Sequence, residues 1–307
     1  MDPARIRMPE DGAWTTIRDF LVDALPRMSA LRIDELLDEG AVVDMQGPIG
    51  SDSAFVPGEA VWFHRDLPAE TVVPFDIPIV YRDDTLLVID KPHFLPTIPR
   101  GGHILQTALV RLRQELDLPD LIPAHRLDRV TAGLVLFVID PAVRGAYQTL
   151  FQDRKVSKVY EAIAPCEPEL EFPRTIRSRI VKERFDFAAQ EVDGEPNSET
   201  YVQLLEKRGK LARYRLHPHT GRTHQLRLHM NSLGIPILGD DLYPVPTGRS
   251  VDDFTEPLQL LASGLEFVDP ISQKTRRFDT SRILEKWITT SVPVGEVTPS
   301  TSPESRH

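Results

Sequence analysis

Apolar residues along this chain change their spacing several times, and each change marks an element. Leu31, Ile33, Leu36 and Leu37 recur at helical spacing within residues 29–39 and Gly40 follows, which predicts a short amphipathic helix. Turn-rich sequence then runs to Pro74, setting residues 1–75 apart as a small accessory module. Thr85-Leu86-Leu87-Val88-Ile89-Asp90 is an apolar run bounded by acids, read as a buried strand that stops at Lys91-Pro92. A loop rich in Pro and Gly leads to residues 103–116, where Leu105, Ala108, Leu109, Leu112 and Leu116 predict a helix. Residues 134–139 are too few for a typical helix and rich in β-branched and aromatic types, so a central strand is expected directly behind Gly133. Pro141 opens a helix carrying Val143, Ala146, Tyr147, Leu150 and Phe151, and residues 157–163 alternate as a strand with Tyr160 and Ala162 on one face. Residues 200–205 and 211–217 read as paired strands joined by residues 206–210; the second sets Ala212, Tyr214 and Leu216 against Arg213, Arg215 and His217. The expected fold class is α+β, a central mixed and largely antiparallel sheet with peripheral helices. Residues 289–307 lack periodicity and are expected to form a disordered tail, which leaves 76–288 as the main domain.

Composition is that of a globular protein, 41% hydrophobic and 27% charged. No apolar run approaches the roughly 18 residues of a membrane span, and the N-terminus lacks a basic-then-apolar leader, so a cytoplasmic protein away from membranes is expected. The lone Cys166 forms no internal disulfide and leaves no Cys cluster for zinc; it is read as an incidental thiol. A net charge of -10 argues against a nucleic-acid partner until its distribution is considered. Residues 100–230 hold 21 Lys and Arg against 17 Asp and Glu, a net of +4, so the rest of the chain carries -14. A basic centre between acidic arms is compatible with RNA bound in a local groove.

Two polar clusters stand at strand ends, where catalytic residues are commonly presented. In His125-Arg126-Leu127-Asp128-Arg129 one carboxylate lies among two arginines and a histidine, immediately before an apolar strand. Such surroundings favour the ionised carboxylate, available as a nucleophile or base and not as an acid. The second cluster, residues 217–229, is a strand exit, a tight turn at Gly221 and a helix closed near Gly234. The plain alternatives are a surface Arg–Asp network for the first and a solvated basic helix start for the second.

Taken together, the motifs resemble the RluA-type family of pseudouridine synthases. The family's His-Arg-Leu-Asp-x-x-Thr-Ser-Gly loop is similar to residues 125–133, with Ala132 the one departure. Val88-Ile89-Asp90-Lys91-Pro92, Lys158-Val159-Tyr160-Glu161-Ala162, the segment from Thr220 to His229 and the stretch from Gly234 to Tyr243 resemble four further motifs in the family's order. Five ordered motifs over residues 76–280 are far more specific than any one. The resemblance implies a pseudouridine synthase fold with a catalytic cleft in 76–288, and a cofactor-free, metal-free isomerisation in which uracil leaves its ribose, turns and rejoins through carbon 5. It implies Asp128 as the essential aspartate, Arg222 as the guanidinium clamping it, and Tyr160 as the ring stacked on the uracil, exchanging protons through its hydroxyl. His125, Arg126, Arg129, Thr131, His224, Gln225 and Leu260 are expected to contact the RNA or line the pocket around an extruded uridine. A monomer acting on ribosomal or transfer RNA is expected. Three departures qualify the match: Ala132 for a serine, Asp140 where many relatives have a lysine, and Ala262 near the place of a histidine. The N-terminal module resembles a degenerate form of the small helical RNA-binding module often fused ahead of these enzymes. Two rival classes are a metal-dependent hydrolase using His217, His219, His224 and His229, and an RNA-binding protein that keeps the fold without catalysis.

Overall fold

The computed structural model describes residues 3–26, 28–64, 70–183 and 186–289. It divides into two compact units, Met1–Ala69 and Glu70–His307. In the first, β1 (Ala4–Arg7), α1 (Ile17–Ala24), α2 (Ala30–Asp38), β2 (Val42–Val43) and β3 (Ala60–Phe63) build an antiparallel sheet ordered β1-β3-β2 beside two helices. The hydroxyls of Thr16 and Ser29 accept from the Asp19 and Arg32 backbone N–H groups, so each helix starts on a side-chain cap. The predicted helix is α2, and it buries Ile33, Leu36 and Leu37; Leu31 of the same stripe points to solvent.

The second unit is an 11-stranded sheet flanked by short helices. Its first strands are β4 (Ile79–Arg82), β5 (Leu86–Lys91), β6 (Ile122–Pro123) and β7 (Ala132–Val138), with α3 (Ala108–Glu115) between β5 and β6. After β7, a single 3-10 turn and α4 (Arg144–Gln152) lead to β8 (Val156–Pro165), β9 (Arg174–Val181), β10 (Gln190–Val192), β11 (Ser198–Arg208) and β12 (Leu211–Pro218). The chain continues through α5 (Gln225–Ser232), β13 (Leu260–Val268), β14 (Thr275–Asp279) and α6 (Glu285–Thr289). The strand path is β10-β9-β11-β12-β8-β13-β7-β5-β4, with β14 on β13 and β6 on β7. Every pairing is antiparallel except that of β7 with β13, which is the mixed, largely antiparallel α+β sheet expected.

All residues of β5 and β7 are buried. Leu87, Ile89, Val135 and Phe137 enter one apolar cluster, and Leu86, Val88, Leu134, Leu136 and Val138 enter another on the opposite face. Burial on both faces explains why these strands read as unbroken apolar runs. Two expectations are corrected. The helix expected over 103–116 starts only at Ala108, because the Glu70 carboxylate accepts the backbone N–H groups of Ile104, Leu105 and Gln106, and Thr107 is the N-cap of α3. The connection between the paired strands is the two-residue turn Gly209-Lys210, with residues 206–208 kept in β11 beyond a bulge at Leu204/Glu206. Asp140, noted as a departure, caps the 3-10 turn by accepting from Ala142 N–H at 2.9 Å. The tail expected from 289 begins on the last residue of α6, and 290–307 lie outside the described residues.

Candidate active site

Residues 125–131 form the loop that feeds β7, and its backbone is held at Leu127, Asp128, Arg129, Val130 and Thr131. Thr97 Oγ1 accepts from Leu127 N–H at 3.1 Å and donates to Leu127 carbonyl at 2.9 Å. Lys91 Nζ donates to the carbonyls of Pro92, Leu95 and Arg129. His93 Nδ1 donates to Val130 carbonyl at 2.7 Å, and Thr131 N–H donates to Asp128 carbonyl at 3.1 Å. Gly133 lets the loop enter the sheet: its φ is +115°, and a β-carbon there would lie 2.3 Å from the Ala262 carbonyl oxygen of parallel β13.

On this fixed loop the half-buried Asp128 carboxylate makes no hydrogen bond or ion pair with the described residues. Its charge nevertheless acts on five groups around it: Lys91, Tyr160, His224, Arg227 and Tyr243. Complete burial of Lys91 brings its amine down to about 7, with the charge of Asp128 opposing the fall. Burial raises the Tyr160 phenol, and the nearby Asp128 charge adds to that, so the hydroxyl keeps its proton. Leu260, buried opposite Ala162 on the adjacent strand, belongs to the apolar cluster against which the Tyr160 ring packs.

Of the two arginines in the basic segment, Arg227 and not Arg222 is the one on which the Asp128 charge acts, although its bonds go elsewhere. Its Nε donates to Asp240 at 2.7 Å, a terminal nitrogen donates to Asp241 at 2.7 Å and to Asp240 through a second short bond, and the Tyr243 ring lies 5.3 Å from the guanidinium. Burial alone lowers a guanidinium, but the Asp240 bond and the charges of Asp240, Asp128 and Asp241 prevail and raise Arg227. Arg222 is exposed, donates through Nε to Asn197 carbonyl at 3.2 Å, and does not reach Asp128. Arg222 lies in the turn before α5, whose N-cap His224 has a left-handed φ of +56°, whereas residues 225–230 at the start of that helix are all buried, Arg227 among them.

The other expected contacts fall into two groups. His125 and Gln225 are used inside the protein. His125 Nε2 accepts from Leu136 N–H at 3.1 Å, its ring stacks on Phe151 at 4.3 Å, and burial pushes it down to about 3, so the imidazole is neutral. Gln225 accepts from Thr220 and the Arg222 backbone and donates to Glu199 carbonyl and Thr200, which ties the 220–224 turn to β11. Thr131 is buried. Facing outward are Arg126, exposed and without a side-chain partner among the described residues, and Arg129, which donates to Val251 carbonyl and lies near Asp241 and Phe94. His224 shares a 3.0 Å hydrogen bond with the Tyr243 hydroxyl, which also bonds the Ala189 backbone. The four histidines of the rival hydrolase reading do not converge: His229 is buried on Ser178, Ser198 and Thr200, while His219 faces Glu199. Among the described residues no group of three His, Cys, Asp or Glu side chains is arranged to hold a metal ion. No described helix is long and apolar enough to cross a membrane.

Sequence reasoning missed Lys91, Thr97, Arg227, Asp240 and Tyr243 as site groups. All but Thr97 lie in motifs already visible.

The sheet is largely antiparallel and presents a carboxylate ahead of a buried strand, and proteins similar to this chain are pseudouridine synthases, isomerases that act on RNA. The family model described as RNA pseudouridylate synthase matches residues 85–232. Human pseudouridylate synthase RPUSD2 is 36% identical over 59% of this chain, a match spanning 33% of that longer protein. The dual-specificity RNA pseudouridine synthase RluA of Pasteurella multocida is 32% identical over 66% of this chain and 91% of its own length. The solved structure of human RNA pseudouridylate synthase domain containing 1 superposes with a TM-score of 0.56 at 26% identity, over 70% of this chain and 86% of that one. The chain belongs to the RluA-type family of RNA pseudouridine synthases.

Proposed function

We propose that this chain isomerises uridine to pseudouridine in structured ribosomal or transfer RNA, acting as a cytoplasmic monomer, with Asp128 as the essential carboxylate. One observation carries the reading: Asp128, the carboxylate of its loop, is left without a partner among the described residues, in a setting where the neighbouring backbone is pinned. The reaction breaks the bond from uracil N1 to ribose C1′, turns the base, and forms a bond from C5 to C1′. N1 gains a proton, C5 releases one, and nothing is oxidised or reduced. Arg227 and Lys91 are the buried cationic side chains on which the Asp128 charge acts, Tyr160 stacks on the uracil and exchanges a proton with it through its hydroxyl, and Leu260 underlies that ring.

A stacked uridine must leave its helix to reach such a site, at a cost of a few kcal/mol. Arg126, exposed and unpartnered among the described residues, takes the space of the extruded base or its phosphate, and Arg129 and His224 line the entrance; Thr131, His125 and Gln225 position the loop and turn. The test is release of tritium from carbon 5 of labelled uridine in total RNA prepared from cells lacking this modification, with Asp128→Asn alongside. Wild type is expected to release tritium and Asp128→Asn to release none while melting within about 1 °C of wild type, since the carboxylate bonds nothing. Absence of release by wild type from every RNA pool, or equal release by the variant, refutes the proposal.

A further inference from the structure

Arg222 and two histidines that the site leaves unused converge elsewhere, in a groove of about 1100 Å³ between β8, β9, β11 and the 217–222 turn. Its charged lining is five cations, Arg154, Lys155, Lys158, Arg177 and Arg222, against one carboxylate, Glu199. Glu199 is taken by Arg177 at 2.6 Å. Arg154 has no side-chain partner among the described residues; Lys158 and Arg222 donate only to the carbonyls of Thr220 and Asn197, which carry no charge to neutralise theirs. Lys155 reaches only the exposed Asp153. His217 and His219 complete the wall. In a chain with a net charge of -10, so local a positive excess is the reverse of the background.

The groove also adjoins the candidate active site. Lys158 and Tyr160 stand two residues apart on β8, about 7 Å along one face of the strand. The turn holding Arg222 runs straight into His224. We infer that this groove grips the phosphodiester backbone of the RNA beside the uridine presented to Asp128. The inference rests on the activity proposed above. Cations satisfied only by neutral carbonyls fit phosphate oxygens, which such groups bind without reading sequence.

Binding is measured by fluorescence anisotropy with a fluorescein-labelled 20-nucleotide oligouridylate, over a series of salt concentrations. The variants are Arg154→Gln with Lys155→Gln, and Arg222→Gln. The double variant is expected to raise Kd roughly tenfold and to shorten the slope of log Kd against log salt by about 1.4, about 0.7 for each single-strand phosphate no longer neutralised. In tritium release from total RNA its effect falls on KM. Exchanging Arg277, an exposed cation on β14, for Gln is expected to change neither quantity. Restoring a cation with Arg154→Lys should recover the slope, which a folding defect would not. Unchanged Kd and slope in both groove variants overturn the inference even if wild type is active. Lack of tritium release by wild type that still binds oligouridylate through the groove refutes the proposed activity instead.

Discussion

Arg227→Lys compared with Arg222→Lys separates the structure's assignment from the one the motif alone suggests. Lysine keeps the charge at position 227 but replaces a planar fork with a single ammonium. Arg227 makes three bonds, two to Asp240 and one to Asp241, and an ammonium there retains at most one. Arg227 and Asp240 have side chains only 2% and 1% exposed, so solvent screens nothing. Two charge-assisted bonds broken at about 1.5–3 kcal/mol each amount to at least about 3 kcal/mol, matching the roughly 3–5 kcal/mol that breaking a buried ion pair costs. In a unit of this size each kcal/mol moves Tm by about 2–4 °C, so Arg227→Lys should melt at least about 6–12 °C below wild type. Arg222 is exposed with one bond to a carbonyl, and its lysine variant should stay within about 0.5 kcal/mol. The assay is calorimetric melting, then tritium release at a temperature where both variants are folded. Arg227→Lys should also lose turnover, because a buried cation on which the Asp128 charge acts has moved. The reasoning is refuted if Arg227→Lys melts within about 2 °C of wild type with full activity, or if Arg222→Lys abolishes turnover while binding RNA normally.

The same geometry makes three further outcomes testable. Gly133→Ala places a methyl 2.3 Å from the Ala262 carbonyl at a φ of +115°, so soluble yield and Tm should collapse, by about 3 kcal/mol or more; a wild-type Tm would show that β13 yields. Tyr160→Phe removes a hydroxyl with no described hydrogen-bond partner, so it should fold and bind RNA as wild type does yet release tritium at least tenfold more slowly; an undiminished rate would assign Tyr160 to stacking alone. Burial holds His229 down at about 4 against an ordinary 6.5, so the unfolded chain takes up a proton that the folded one refuses. Stability is therefore fully present above pH 6.5 and falls by about 3 kcal/mol as pH drops to 4. His229→Gln should flatten that acid limb in urea titrations, and an unchanged slope would mean the imidazole is charged in the fold.

The strands that were legible are those the core uses on both faces, β5 and β7, together with β8 and the pair β11 and β12. Alternation in β12 survives intact: Ala212, Tyr214 and Leu216 are buried, and Arg213, Arg215 and His217 share the other face. β9 reads Arg-Thr-Ile-Arg-Ser-Arg-Ile-Val and is buried only at Ile180, and β14 reads Thr-Arg-Arg-Phe-Asp; so few apolar positions cannot be told from loop. Asp128 was legible because its motif lies on the loop feeding a strand that reads as buried, although the groups its charge acts on come from other parts of the chain. The buried arginine was not: Arg222 and Arg227 lie five apart in one basic segment, and nothing in their spacing says which is buried.

How the protein distributes hydrogen bonds around Asp128 bears on why the site is built this way. Lys91 is saturated by three carbonyls, Gln225 by four partners, His229 by three hydroxyls, and Arg227 by two carboxylates. Each of these groups is locked by contacts to strands or loops that cannot move without breaking others, which is what holding a reactive carboxylate at fixed depth requires. Asp128 below and Arg126 and Arg154 at the surface, which lack such partners among the described residues, are one anion and two cations. An anion alone would repel RNA. On the proposed function, an anion held at fixed depth meets the polyanion through the cations of the adjoining basic groove, and the Tyr160 phenol beside it, which burial keeps protonated, adds no competing charge.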